Sequence, residues 1–80
     1  MKIEWRKGSG DWWWMFDGYS TLPYSIILRS GRYVVEFDKI LDKKWKGHPY
    51  AQYIEMATAP TLEEAQDIAE VYMRMGIKPE

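Results

Sequence analysis

The sequence predicts an α+β fold, an antiparallel three- to four-stranded meander with one C-terminal helix packed on one face. Three observations lead to this fold class. The last third of the chain has apolar residues at helical spacing behind a capping box. The middle has two strand-forming segments on either side of Ser30-Gly31. The first third has a run of strand-forming aromatic residues between glycines.

The helix is predicted from its start and stop signals. Thr61 and Glu64 form a capping box, in which the Thr61 hydroxyl accepts from the Glu64 amide. One apolar stripe then follows at steps of three and four residues: Leu62, Ala65, Ile68, Ala69, Tyr72 and Met73. Gly76 supplies the left-handed position that ends the helix, which leaves residues 77–80 as a short tail.

The hairpin in the middle has a register that follows from its two-residue turn. Pairing Arg29 with Arg32 places one set of apolar and aromatic side chains on a common face: Tyr24, Ile26, Leu28, Tyr33, Val35 and Phe37. We expect this face to be the core face. The opposite face is mixed and carries Ser25, Ile27, Arg29, Arg32, Val34 and Glu36.

Two more strands are predicted, over residues 11–17 and residues 50–56. The alternation in the second is weak, and its inward set is either Gln52, Ile54 and Met56 or Ala51 and Tyr53. The link over residues 39–47 either continues a strand or forms a short turn of helix.

Composition limits the size of the fold and the classes of function. The 80 residues suffice for one small domain, residues 1–80, and 11 basic against 12 acidic residues give a net charge of −1. This balance argues against a strongly basic nucleic-acid coat and a strongly acidic DNA mimic. Without cysteine there are no disulfides, thiolate nucleophiles or cysteine zinc sites. No apolar run reaches the ~18 residues of a membrane span, so we expect no membrane partner.

Side chains that carry catalysis are sparse, and we expect no enzyme. The single histidine, His48, stands in a Gly-His-Pro sequence that is typical of a loop. Glu36 and Glu55 on neighbouring predicted strands are interpreted as a solvated pair rather than a catalytic one. No phosphate-binding glycine motif occurs, and Gly8-Ser9-Gly10 is interpreted as a flexible connection. We therefore predict no catalytic, metal-binding or cofactor-binding residues.

The outlying feature is the aromatic content of 16%, which includes five tryptophans. One helix covers only one face of a sheet, and consecutive strand residues point to opposite faces. At least one indole from Trp12, Trp13 and Trp14 is therefore expected on the uncovered face, beside Ile27 and Val34, with Tyr53 as a further candidate. Such rings form a partner-facing patch, a part of the core or a homodimer seam.

Basic residues cluster around Trp45, within residues 39–48. This segment is suited to phosphates and stacked bases, to an acidic protein partner, or only to solvent. The residues predicted to contact a partner are Trp13, Trp14, Ile27, Arg29, Arg32, Lys43, Lys44 and Trp45.

The aromatic-rich meander, the strand that begins Gly31-Arg32-Tyr33 and the helix that begins Thr61-Leu62-Glu63-Glu64-Ala65 resemble small accessory proteins of phages and prophages. Anti-CRISPR and other anti-defence inhibitors are among them, and the resemblance is one of architecture over residues 12–76. It implies a phage-encoded inhibitor without cofactors, a monomer or homodimer in the cytoplasm of a bacterial host. Such a protein blocks a host protein or ribonucleoprotein complex by steric occlusion.

The chain also resembles the arm-type DNA-binding domains of phage integrases, in which a three-stranded sheet is backed by a helix with a similar start. Those domains lay a basic open sheet face in the major groove. Here only Arg29 and Arg32 stand on that face, against Glu36 and Glu55. A nucleic-acid-binding module, for single strands or of this integrase type, is therefore the alternative prediction.

Overall fold

The computed structural model describes residues 2–39, 41 and 53–79 of the chain. These residues form six elements: β1 (Glu4–Lys7), β2 (Trp12–Phe16), β3 (Thr21–Arg29), β4 (Arg32–Asp38), β5 (Tyr53–Ala59) and α1 (Leu62–Met75). Neighbouring strands pair antiparallel in chain order, which makes one meander sheet. The α+β class is confirmed, whereas the predicted three or four strands are wrong because the sheet has five.

The strand that the sequence analysis missed is β1. Its sequence Glu-Trp-Arg-Lys lacks the apolar alternation that marks a half-buried strand. It lies at the edge of the sheet, where charged side chains are common because they discourage further pairing. Its one aromatic residue, Trp5, packs against the core, and its indole Nε1 donates to a carboxylate oxygen of Glu70 over 3.1 Å. This contact ties the sheet edge to α1.

The predicted register of the β3–β4 hairpin is confirmed. Arg29 pairs with Arg32, and the pairing continues to Tyr24 opposite Phe37. Ser30 and Gly31 both have positive φ, 53° and 77°, as a two-residue turn of this hand requires. The turn therefore decides which side chains of both strands face the core.

The helix signals are also confirmed. The Thr61 side chain accepts from the Glu64 amide, and Gly76 takes the left-handed conformation with φ 68°. The helix spans 14 residues and ends before Gly76, as predicted.

The core lies between α1 and one face of the sheet. Its buried members are Met15, Leu22, Tyr24, Ile26, Val35, Phe37, Ala59, Ala65 and Ala69. The two alanines of α1 bring the helix close to the sheet, because they have little side chain to hold it away. The Tyr24 hydroxyl donates to the carbonyl of Ile77, which satisfies the one polar group of this buried ring.

The last strand ends later than predicted. β5 covers Tyr53–Ala59, whereas the prediction covered residues 50–56, of which residues 50–52 lie outside the described part of the chain. A β-bulge between Val35 and Glu36 changes the register, so that Val35 pairs with Ala57 and Glu36 with Glu55. The bulge breaks the period-two pattern, which explains why the alternation is weak. Residues 40 and 42–47 of the ambiguous link also lie outside the described residues.

Candidate binding site on the open sheet face

The helix covers one face of the sheet by packing on β3, β4 and β5. Among residues 2–39, 41 and 53–79, no helix or strand packs on the opposite face, which we call the open face. Two of the three consecutive tryptophans belong to it. Trp12 pairs with Ile27 and Trp14 with Ser25, both open-face positions. The expectation that at least one indole lies on the uncovered face is therefore confirmed.

Trp13 faces the other way. It pairs with Ile26 of the core, and its ring centroid lies 5.7 Å from that of Tyr33. It is partly buried and packs against the core cluster. Trp13 therefore contributes to the helix side of the sheet rather than to the open face.

The two open-face indoles contact each other and support a shared surface. The ring centroids of Trp12 and Trp14 are 5.0 Å apart with planes inclined at 46°. Both rings pack against Gly8 at the end of β1. Trp12 keeps 36% of its surface exposed in this arrangement. The pair is therefore accessible and is also held in place by its neighbours.

Two adjoining depressions lie beside this pair, with volumes of about 210 Å³ and about 370 Å³. Trp12 and Tyr53 line both of them, and Tyr53 is 40% exposed. We call the combined surface the open-face cleft, and it is lined by Trp12, Trp14, Thr21, Leu22, Ser25, Ile27, Arg29, Glu36, Asp38, Leu41 and Tyr53. The rings of Trp12 and Tyr53 are its exposed walls, and the buried polar side chains of Ser25, Glu36 and Asp38 form its floor.

The acidic centre of the floor is Glu36, which is only 8% exposed. Burial raises the pKa of its carboxyl group, the guanidinium of Arg29 lowers that pKa, and the Glu55 carboxylate raises it again. The Arg29 contact is long, 3.9 Å between Nη2 and Oε2, and Arg29 is itself largely exposed. Glu36 is therefore a buried acid with weak compensation for its charge.

Two further polar groups belong to the same floor. The Ser25 hydroxyl oxygen is buried and has no hydrogen-bond partner within the described residues. Tyr53 pairs with Asp38, and the pKa of its phenol is raised by burial and then by the carboxylates of Asp38 and Glu36. The Tyr53 hydroxyl therefore stays protonated, and the cleft holds polar groups that are not used up by internal contacts.

The predicted contact residues fall into three groups. Trp14, Ile27, Arg29 and Arg32 stand on the open face, and the two arginines pair at its hairpin end. Trp13 lies on the helix side. Lys43, Lys44 and Trp45 lie outside the described residues.

Trp12 and Tyr53 were not among the predicted contact residues. Period two already places Trp12 on the same face as Trp14, so the signal for Trp12 was present in the sequence. Tyr53 was a candidate for the uncovered face, and its pairing with Asp38 places it there.

The described residues offer little for metal or membrane chemistry. Within them, no group of three or more His, Cys, Asp or Glu side chains is arranged to hold a metal ion. None of the helices in this part of the chain has the length and apolar character to cross a bilayer. Glu36 and Glu55 do pair directly across β4 and β5, but Glu36 is buried rather than solvated.

Comparison of the chain with protein-family models, curated proteins and solved structures finds no match. The function of the open-face cleft therefore has to be argued from its own residues. The resemblance to phage accessory proteins stays a prediction.

Proposed function

We propose that this protein is a non-enzymatic binding protein that uses its open-face cleft to occupy a surface on a partner protein. The observation that carries the proposal is the Trp12–Trp14 pair beside the half-exposed Tyr53, on the sheet face that α1 does not cover. Tryptophan and tyrosine are enriched at the centres of protein interfaces.

The size of the patch supports a protein partner. A large aromatic side chain has roughly 150–250 Å² of surface, and Trp12 and Tyr53 leave 36% and 40% of theirs exposed to a partner. With Ile27, which pairs with Trp12, these rings form one continuous apolar patch of the kind that marks interaction sites on soluble proteins. These rings are mounted on strands, so little conformational entropy is lost when a partner covers them.

The mode of action that we propose is steric occlusion. A chain that presents contacting aromatic rings on a sheet face can act by covering a surface. On the resemblance to phage accessory proteins, we propose that the covered surface belongs to a host bacterial defence complex, CRISPR-Cas-like in kind, in the host cytoplasm. Arg29 and Arg32 remain proposed contacts at the rim.

Single-stranded nucleic acid is the second candidate, because exposed aromatic rings on a sheet can stack bases. The charges of the cleft oppose it. Glu36 and Glu55 pair on this face, and within the described part of the chain Arg29 is the cation that lies near Glu36. A phosphate backbone would meet a negative floor. We therefore expect no retention of a labelled single-stranded oligonucleotide at ~50 mM salt, where phosphate contacts are strongest.

The test is capture of a partner with matched variants. The wild-type chain, Trp12→Ser and Tyr19→Ser are immobilised and exposed to a bacterial lysate. Tyr19 is an aromatic residue with 95% exposure that does not line the cleft, so it is the control for loss of a surface ring. We expect a protein that is retained by wild type and Tyr19→Ser and lost with Trp12→Ser. Equal retention by all three chains would contradict the proposal.

A further inference from the structure

We propose that the open-face cleft binds a basic side chain of the partner protein, with its cationic group between the rings of Trp12 and Tyr53 above Glu36. That the basic side chain comes from a partner protein rests on the proposed function. That the cleft binds a cation does not rest on it, because this affinity can be measured with a small probe. Failure of one proposal is thereby distinguishable from failure of the other.

The aromatic walls are the first support for a cation. Trp12 and Tyr53 both line the larger depression, together with the buried Glu36 and the exposed Arg29. The faces of tryptophan and tyrosine attract ammonium and guanidinium groups within about 6 Å. A planar guanidinium also stacks on such rings, so arginine is expected to bind more tightly than lysine.

The chain already uses this chemistry at its sheet edge. The Arg6 guanidinium lies 4.3 Å from the centroid of Phe16, and the Lys7 ammonium lies 5.7 Å from that of Trp13. Within the described residues, no corresponding cation lies over Trp12 or Tyr53. Those two rings are therefore the aromatic faces of the cleft that a cation from outside can use.

Charge is the second support. Glu36 pairs with Glu55, which places two carboxylates on neighbouring open-face positions. Arg29 is the one cation that the described residues bring to Glu36, at a distance of 3.9 Å. Two carboxylates against one guanidinium leave this part of the floor negative. An incoming cation is attracted, whereas an anionic group is repelled.

Unsatisfied polar groups are the third support. The buried Ser25 oxygen lacks a hydrogen-bond partner within the described residues, although such groups are usually paired. Ser25 pairs with Glu36 across β3 and β4, so both oxygens belong to one part of the floor. An arginine has five N–H donors and no acceptor, which suits a floor of acceptors.

The experiment titrates the protein with three blocked tripeptides, Gly-Arg-Gly, Gly-Lys-Gly and Gly-citrulline-Gly. Citrulline has the shape of arginine without its charge, so it separates cation binding from stacking. The readout is the NMR shift of the indole N–H signals. We expect the arginine peptide to give saturable shifts of the Trp12 and Trp14 signals, and the lysine peptide to give weaker ones. The citrulline peptide should give little shift of any indole signal, and the Trp5 signal should respond little to all three peptides.

Variants decide which groups are responsible. We expect Glu36→Gln to weaken binding of the arginine peptide about tenfold, because the guanidinium loses a charged hydrogen-bond acceptor. Arg29→Gln is expected to strengthen it, because an internal competitor for Glu36 is removed. Tyr19→Ser leaves it unchanged. Equal binding of citrulline, equal affinity in Glu36→Gln, or no saturable shift with either basic peptide would overturn the proposal.

Discussion

Gly8 lies against the six-membered ring of Trp14 so closely that a Cβ on residue 8 would come 2.5 Å from Cζ3 of that indole. The same Cβ would come 3.1 Å from Cε3 of Trp12. The Gly8 amide donates to the carbonyl of Trp12 over 2.9 Å, so the backbone is held at this point. The absence of a side chain at residue 8 therefore lets both indoles settle on the end of β1.

Replacement of Gly8 by alanine is expected to displace the indole pair. The added methyl group overlaps the Trp14 ring, and overpacking of this kind costs about 1–3 kcal/mol unless the ring can move. Because the pair borders solvent, we expect the low end of that range together with shifted indole N–H signals. Ser9→Ala, at an exposed neighbouring position, is the control. Unchanged Trp12 and Trp14 signals in Gly8→Ala would show that the contact does not position the pair.

The two faces of β2 predict opposite effects for neighbouring tryptophans. Trp13→Ser removes a ring from the core side and is expected to destabilise the fold by about 3 kcal/mol or more. Trp12→Ser removes a more exposed ring and is expected to cost about 1 kcal/mol. Urea denaturation followed by circular dichroism measures both. A larger loss for Trp12→Ser than for Trp13→Ser would contradict the assignment of faces.

Glu36→Gln is expected to stabilise the protein at neutral pH while it weakens cation binding. Burial raises the folded-state pKa of Glu36 above its ordinary value of 4.5. The native state therefore binds more protons than the unfolded state above pH 4.5, and wild-type stability falls as the pH rises through the raised pKa. The amide of glutamine does not titrate, so the variant does not lose this stability as the pH rises.

The measurement is the melting temperature of both chains from pH 4 to pH 8. We expect the advantage of Glu36→Gln to be a few degrees at neutral pH and to shrink towards the ordinary pKa of 4.5. Glu63→Gln, an exposed acid of α1, is the control. A variant that is less stable than wild type at neutral pH would show that Glu36 is well compensated.

Trp5→Phe tests how β1 is attached to the helix. The substitution keeps an apolar ring but removes the donor to Glu70, at a cost of about 1 kcal/mol. Hydrogen exchange of the β1 amides should accelerate, because this hydrogen bond ties the edge strand to α1. In a Glu70→Gln background the effect should be smaller, since the charged acceptor is already gone. An equal loss of stability in both backgrounds would show that the Trp5–Glu70 hydrogen bond does not hold β1 to the helix.

The basic segment is tested by a combined variant, Lys43→Glu, Lys44→Glu and Trp45→Ala. If these predicted contacts belong to the interface, partner association slows and loses its salt dependence, because steering charges act mainly on the association rate. Stopped-flow association at low and physiological salt measures this. Unchanged rates would leave the open-face cleft as the sole contact and remove these three residues.

The hairpin and helix could be predicted because their signals are local. The Ser30-Gly31 turn fixes the pairing of β3 with β4, and Thr61 and Gly76 mark the ends of α1. β1 could not be predicted in this way. Its pairing depends on a strand that comes later in the chain, and its charged sequence hides that partner.

Part of the candidate site was accessible from the sequence. Ile27 and Trp14 follow from alternation, whereas the assignment of Trp13 to the helix side required the register between β2 and β3. The pairing of Tyr53 with Asp38 depends on the register shift between Val35 and Glu36. The burial of Glu36 depends on packing across strands. These are long-range effects that no local pattern reports.

The most direct measurement is the affinity of the captured, purified partner for wild type and for Trp12→Ser, by calorimetry, with both chains shown to be folded. Loss of a central tryptophan costs about 2 kcal/mol or more at an interface, so we expect roughly 30-fold weaker binding. Equal affinities for the two folded chains would contradict the assignment of the open-face cleft as the binding surface.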